Sequence, residues 1–108
     1  MTPNEYQQLA NRTSGSYDTL EAMIANGVFG LCGESGEVAD LVKKWTFQGH
    51  ILDRDKMVEE LGDVLWYVAL LATALHEPLE AIMQANIDKL RKRYPDGFDP
   101  ERSVNRDE

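Results

Sequence analysis

Twelve consecutive residues, Val64-Leu65-Trp66-Tyr67-Val68-Ala69-Leu70-Leu71-Ala72-Thr73-Ala74-Leu75, carry no charge and almost no polar group. A bilayer-spanning helix needs about 20 such residues, so this run cannot cross a membrane. Wound as a helix it is apolar nearly all round, and a helix of that kind must be covered on every side. A chain of 108 residues buries only about 60–70% of the surface that its unfolded form exposes. The run therefore predicts a helix completed by a second copy of the chain, in a homodimer or homotetramer.

Elsewhere the apolar residues recur with helical period and almost nothing alternates with period two, which predicts an all-α fold. Thr2-Pro3-Asn4-Glu5 is a start signal: Thr2 as N-cap, Pro3 at the first helical position, Glu5 placed for a capping box. That first helix runs to about Arg12 and is broken at Thr13-Ser14-Gly15-Ser16. A second helix carries Ile24, Val28, Leu31, Val38, Val42 and Trp45 on one side and ends near Gly49. Asp53 or Asp55 caps a third through Leu75. Glu77-Pro78-Leu79-Glu80 opens a fourth, closed by Tyr94-Pro95-Asp96-Gly97. The expected architecture is a four-helix-type bundle assembled as a homo-oligomer. Residues 1–98 form its one domain, and 99–108 a polar tail, with Pro100 early in it, ordered only in part.

With 19 acidic against 11 basic side chains the net charge is −8. A chain this acidic repels a phosphate backbone or an anionic lipid surface, so neither nucleic acid nor membrane is an expected partner. The N-terminus lacks the basic start and apolar centre of a secretory signal, and the single Cys32 cannot form an internal disulfide, so the expected compartment is the cytoplasm. The charge is also uneven. Residues 34–63 hold eight acids and four bases, residues 64–88 three acids and no Lys or Arg, and residues 89–93 read Lys-Leu-Arg-Lys-Arg.

Within the acidic centre stand two carboxylate pairs, Glu34-Ser35-Gly36-Glu37 and Glu60-Leu61-Gly62-Asp63, with 22 residues between Glu37 and Glu60. At spacing i, i+3 the two side chains of a pair share one helical face, Cβ atoms roughly 5–6 Å apart, and repel. Acid pairs on helices ordinarily decorate a wet surface. Here, however, Glu60 and Asp63 project on the same side as Tyr67, Leu70, Leu71 and Ala74, and Glu34 shares its sector with Gly27, Gly30 and Leu41. Carboxylates beside packing surface must be neutralised. Four of them from two facing helices would do so around a hard divalent cation, Mg²⁺, for which Mn²⁺ can substitute. Zinc is disfavoured, since Cys32, His50 and His76 form no cluster in the sequence. A di-iron site needs Glu-x-x-His pairs, and the residues three before the histidines are Phe47 and Thr73.

On the fourth helix Asn86 falls in the stripe Leu79, Ile82, Met83 and Leu90, flanked by Lys89 and Arg93. Cations beside a carboxylate-held metal suit a polyphosphate, because metal and Lys or Arg neutralise different oxygens. Arg91 and Lys92 are read as complements to the helix dipole. Trp45, Trp66 and Tyr67 could stack on a base, but at helical spacing they read as core.

The segments Gly30-Leu31-Cys32-Gly33-Glu34-Ser35-Gly36-Glu37-Val38-Ala39-Asp40, Glu59-Glu60-Leu61-Gly62-Asp63-Val64-Leu65-Trp66-Tyr67 and Asn86-Ile87-Asp88-Lys89-Leu90 with Arg93-Tyr94-Pro95 resemble the MazG-type nucleotide pyrophosphohydrolases of the all-α NTP pyrophosphatase superfamily. The resemblance spans the first helix to about Phe98. It implies an oligomeric helical bundle and Mg²⁺-dependent cleavage of nucleoside triphosphates, ribo or deoxy, to monophosphate and pyrophosphate, a house-cleaning of the nucleotide pool. It also implies metal ligands at Glu34, Glu37, Glu60 and Asp63, and phosphate contacts at Asn86 and Lys89. Many relatives carry a second acid just before the first motif carboxylate, where this chain has Gly33. The base that activates water is then Glu34, Glu37 or Glu59, and spacing does not choose among them. The competing expectation is a non-catalytic acidic helical interaction module with a structural metal.

Overall fold

The computed structural model describes residues 1–106, which form five helices and no strand. Helix α1 (Pro3–Asn11) begins as expected. The Thr2 hydroxyl accepts from the Glu5 N–H at 3.1 Å, while the Glu5 carboxylate accepts from the Thr2 N–H at 3.2 Å. Helix α2 (Leu20–Phe47) is capped by Thr19 and ends before Gly49, whose φ of +72° lies in the left-handed region that glycine adopts most readily. Between the two candidate caps of α3 (Arg54–Ala74), Asp53 holds the position, accepting from the Lys56 N–H at 3.0 Å.

Helix α3 stops in a Schellman turn. Glu77 N–H donates to the Ala72 carbonyl at 2.9 Å and His76 N–H to that of Thr73 at 3.0 Å, with His76 at φ +57° where glycine is usual. Helix α4 (Leu79–Arg93) follows at once. Pro78 stands at its N-cap rather than inside its first turn and offers no side-chain acceptor. The caps come instead from α1: Gln7 Oε1 accepts from the Leu79 N–H at 2.7 Å, and Asn4 Oδ1 from the Glu80 N–H at 3.0 Å. Gln7 Nε2 also donates to the Glu77 carbonyl at 2.9 Å and to Thr73 Oγ1 at 3.2 Å. One glutamine thus binds α1 to the end of α3 and the start of α4.

Within the polar tail expected to be ordered only in part, Pro100–Val104 forms a short helix, α5. Asp99 caps it, its carboxylate accepting from the Glu101 N–H at 3.0 Å, in an Asp-Pro-Glu start like the Thr-Pro-Asn-Glu of α1. Asp107 and Glu108, the end of the expected tail, lie outside the described residues.

Packing is dominated by an antiparallel α2–α3 hairpin. Gly27 meets Leu71 and Gly30 meets Tyr67, and a Cβ at Gly30 would overlap the tyrosine ring. Helix α1 lies on the other side of α3, its Ala10 against Ala69 and Ala72, and Trp66 Nε1 donates to Thr13 Oγ1 at 3.0 Å. Helix α4 rests on α1 and α3 near its beginning and shares no substantial interface with α2. One chain therefore does not close a four-helix bundle. The apolar side expected on α2 is only partly covered, with Val28, Val42 and Trp45 exposed. On α3 the stripe Val58, Leu61 and Leu65 is exposed too. No described helix is long and apolar enough to cross a membrane.

Candidate functional site

Two glycines on α2 let α3 come close, and one turn further along that contact the small residues give way to acids. Glu34 of α2 there faces Glu60 and Asp63 of α3, with one carboxylate oxygen from each lying within 4.8 Å of the others. The face of α3 that holds Tyr67 and Leu71 against glycine also carries Glu60 and Asp63. Glu60 is 6% exposed, the one buried charged residue among the described residues, whereas Asp63 lies toward solvent.

Crowding has an electrostatic consequence. The Glu34 carboxyl titrates above its usual value, chiefly through a hydrogen bond shared with Glu60, then through partial burial and the charges of Asp63, Glu60 and Glu37. Three carboxylates this close, with the ionisation of Glu34 disfavoured by its neighbours, are an acceptor set for a small hard cation, which prefers oxygen ligands and offsets like charge. Glu37 lies outside the trio, exposed one turn along α2, yet close enough for its charge to act on Glu34.

Sequence reasoning overlooked Lys56. Its ammonium reaches Glu60 at 3.4 Å and Glu59 at 3.5 Å, so it neutralises part of the cluster from the α3 side. The charges of Glu59 and then the bond to Glu60 hold its pKa above the ordinary lysine value. The signal was available as i, i+3 and i, i+4 spacing from Lys56 to the two glutamates. Glu59, an alternative base from the sequence, is turned to this lysine on the exposed side of α3.

The residues expected on α4 are not gathered with the acids in a single chain. Asn86 is exposed, since the stripe around it, with Met83, Ile87 and Leu90, is itself open. Lys89 and Arg93 line a separate cleft together with α5. Trp66 and Tyr67 pack edge to face at 4.9 Å between ring centres, as core residues do. Trp45 is half exposed at the far end of α2.

The family model of the MazG nucleotide pyrophosphohydrolase domain matches residues 23–98. The chain belongs to the MazG family. The match opens inside α2 at Met23, takes in all four carboxylates, Asn86, Lys89 and Arg93, and stops at Phe98, leaving α1 and α5 outside it. The chain is also similar to the Gene 37 protein of Mycobacterium phage L5, to which it is 40% identical over 101 residues, covering 85% of this chain and 88% of that protein. No solved structure matches it significantly. As a MazG domain the chain falls among the nucleotide pyrophosphohydrolases, and the acid trio stands on the two helices that such a domain supplies here.

Proposed function

We propose that this MazG chain hydrolyses nucleoside triphosphates, ribo or deoxy, to nucleoside monophosphate and pyrophosphate with Mg²⁺ as cofactor, Mn²⁺ serving as substitute, and so clears the nucleotide pool. The observation that carries the reading is the convergence of Glu34, Glu60 and Asp63 across the α2–α3 contact. Those three residues would hold the cation, with Glu37 completing the set on the solvent side. A bound Mg²⁺ would supply positive charge to the phosphate oxygens and acidify water at the site.

The protein's own groups then divide the work. In the net reaction water attacks the α phosphorus, the bond from that phosphorus to the α–β bridging oxygen breaks, and the electron pair leaves with pyrophosphate. Glu37 is the base in this reading: it stands beside the trio, and Glu59 is already engaged by Lys56. Asn86, Lys89 and Arg93 bind phosphate oxygens and balance charge on the leaving group. Because α4 and α2 share no substantial interface within one chain, this reading places the complete site in an oligomer, a homodimer or homotetramer, in which the exposed apolar stripes of α2 and α3 are covered.

The test is product analysis across a nucleotide panel with Mg²⁺. Monophosphate plus pyrophosphate is expected, and diphosphate plus orthophosphate would contradict the bond assigned. Glu60→Gln keeps the shape and loses the charge. Turnover should fall about a hundredfold or more, the scale of losing one charge-stabilising group, with circular dichroism unchanged. Wild-type turnover in that variant removes Glu60 from the mechanism. Tight metal binding without turnover of any nucleotide would favour the interaction module.

A further inference from the structure

In a chain of net charge −8, five of the eleven Lys and Arg side chains converge on one cleft of about 740 Å³. Lys89, Lys92 and Arg93 come from the last turns of α4, and Arg102 and Arg106 from α5 and the residues just after it. The remaining bases include Lys43 and Lys44, both committed to Asp40, and Lys56, committed to Glu59 and Glu60. This cleft is thus where the molecule concentrates its positive charge.

The convergence is built, not incidental. Gly97, at φ +99°, turns the chain back, with its N–H donating to the Tyr94 carbonyl at 3.2 Å and Phe98 packing on Tyr94 at 5.3 Å between ring centres. Arg102 Nε then donates to the Arg93 carbonyl at 2.8 Å and fastens α5 to the end of α4. That bond uses one of the five N–H donors of the guanidinium. Two carboxylates, those of Asp99 and Glu101, share the cleft, so its described lining stays positive, five cations to two anions. The C-terminal dipole of α4 amounts to roughly half a charge, too little to call for five cations, two of them returned by a turn. The volume falls in the range of about 300–1,000 Å³ usual for small-molecule sites.

We propose that this cleft binds a polyphosphate anion, with Arg102 and Arg106 of the α5 arm completing the cationic wall that Lys89, Lys92 and Arg93 begin. Spaced guanidinium and ammonium groups match an extended chain of phosphates, and guanidinium forks take two oxygens each. The arm lies beyond residues 23–98, the span of the family match. That the anion is a substrate tail or a released product rests on the pyrophosphohydrolase reading; binding itself does not.

The experiment is calorimetric titration of the full chain, without divalent metal, with inorganic pyrophosphate, a nucleoside triphosphate and sulfate, repeated on Arg102→Gln/Arg106→Gln and on Lys92→Gln. Pyrophosphate or the triphosphate should bind more tightly than sulfate, weaken with added salt, and lose roughly tenfold or more in the double variant, as for lost charge-assisted contacts. Backbone amides of Gly97 to Arg102 should shift in NMR spectra on titration. Lys43→Gln/Lys44→Gln, which removes as much charge elsewhere, should keep wild-type affinity. An equal loss in that control, an unchanged affinity in both cleft variants, or sulfate binding as well as pyrophosphate would each overturn the proposal. Loss confined to pyrophosphate assigns the site to the free product, and an equal loss for the triphosphate assigns it to the nucleotide tail. Mn²⁺ affinity measured by paramagnetic resonance should be untouched by the cleft variants. Polyphosphate binding without nucleotide turnover would sink the enzymatic reading and leave the cleft standing.

Discussion

Single residues divide into those the fold needs small and those the chemistry needs charged. At Gly30 a Cβ would strike the Tyr67 ring, whereas at Gly33 it would meet nothing within 4 Å. Gly30→Ala should therefore destabilise by about 1–3 kcal/mol through overpacking, and Gly33→Ala should stabilise by about 0.5–1 kcal/mol through helix propensity. Chemical denaturation of both variants checks the pair, and opposite signs are required. Glu34 makes a pH prediction. Its folded pKa lies above the ordinary value of 4.5 that describes the unfolded chain, so between the two the native state holds more protons. Stability contributed by this group is greatest below that window and falls as pH rises through it. In chelator, Glu34→Gln should melt higher than wild type at pH 7.5, and the gap should close toward pH 4.5. A gap that widens on acidification would refute the assignment. Saturating divalent cation at a hundred times its Kd adds about 2.7 kcal/mol to the native state, and that increment should appear in wild type and shrink in the variant.

Helix α4 illustrates how an element depends on another element for its ends. Its start offers Pro78, which has no capping side chain, and the missing acceptors are Gln7 and Asn4 of α1. Gln7→Ala removes an acceptor from a partly buried N–H as well as two donated bonds, and should cost about 1–3 kcal/mol. Hydrogen exchange should accelerate first at Leu79 and Glu80. A loss of stability spread evenly over α2 and α3 instead would mean that Gln7 supports the hairpin and not the start of α4. The contrast with α1 and α5 is instructive, because both begin with a capping side chain followed directly by proline and each cap is local.

The whole chain is more open than its length implies. Its radius of gyration is 17.0 Å, against about 13 Å for a compact domain of this size. Phe29 and Phe47 on α2 are 75% and 81% exposed, and Val58 on α3 is 70% exposed. Apolar surface on this scale marks an interaction site. Light scattering should return a mass at least twice the 12.2 kDa of the chain, and Phe29→Glu should lower it. A mass of one chain at all concentrations would exclude the homo-oligomer and, with it, a site completed between subunits.

Much of this was legible in the sequence for local reasons. Caps, prolines and apolar period are short-range signals, so the helices and their boundaries followed from Thr2-Pro3, Asp53 and Gly49, and the i, i+3 acids announced a pair of charged faces. The same logic applied to Asp99-Pro100-Glu101 would have revealed α5. Periodicity also said that Glu34, Glu60 and Asp63 share sectors with packing residues; the meeting of those sectors depends on Gly27 and Gly30 admitting Leu71 and Tyr67. Only the tertiary structure could set Glu37 outside the trio, lend α1 side chains to α4, and fold Arg102 onto the end of α4. Those outcomes are decided by the angle and distance between elements far apart in the chain, which side-chain spacing along one helix does not encode.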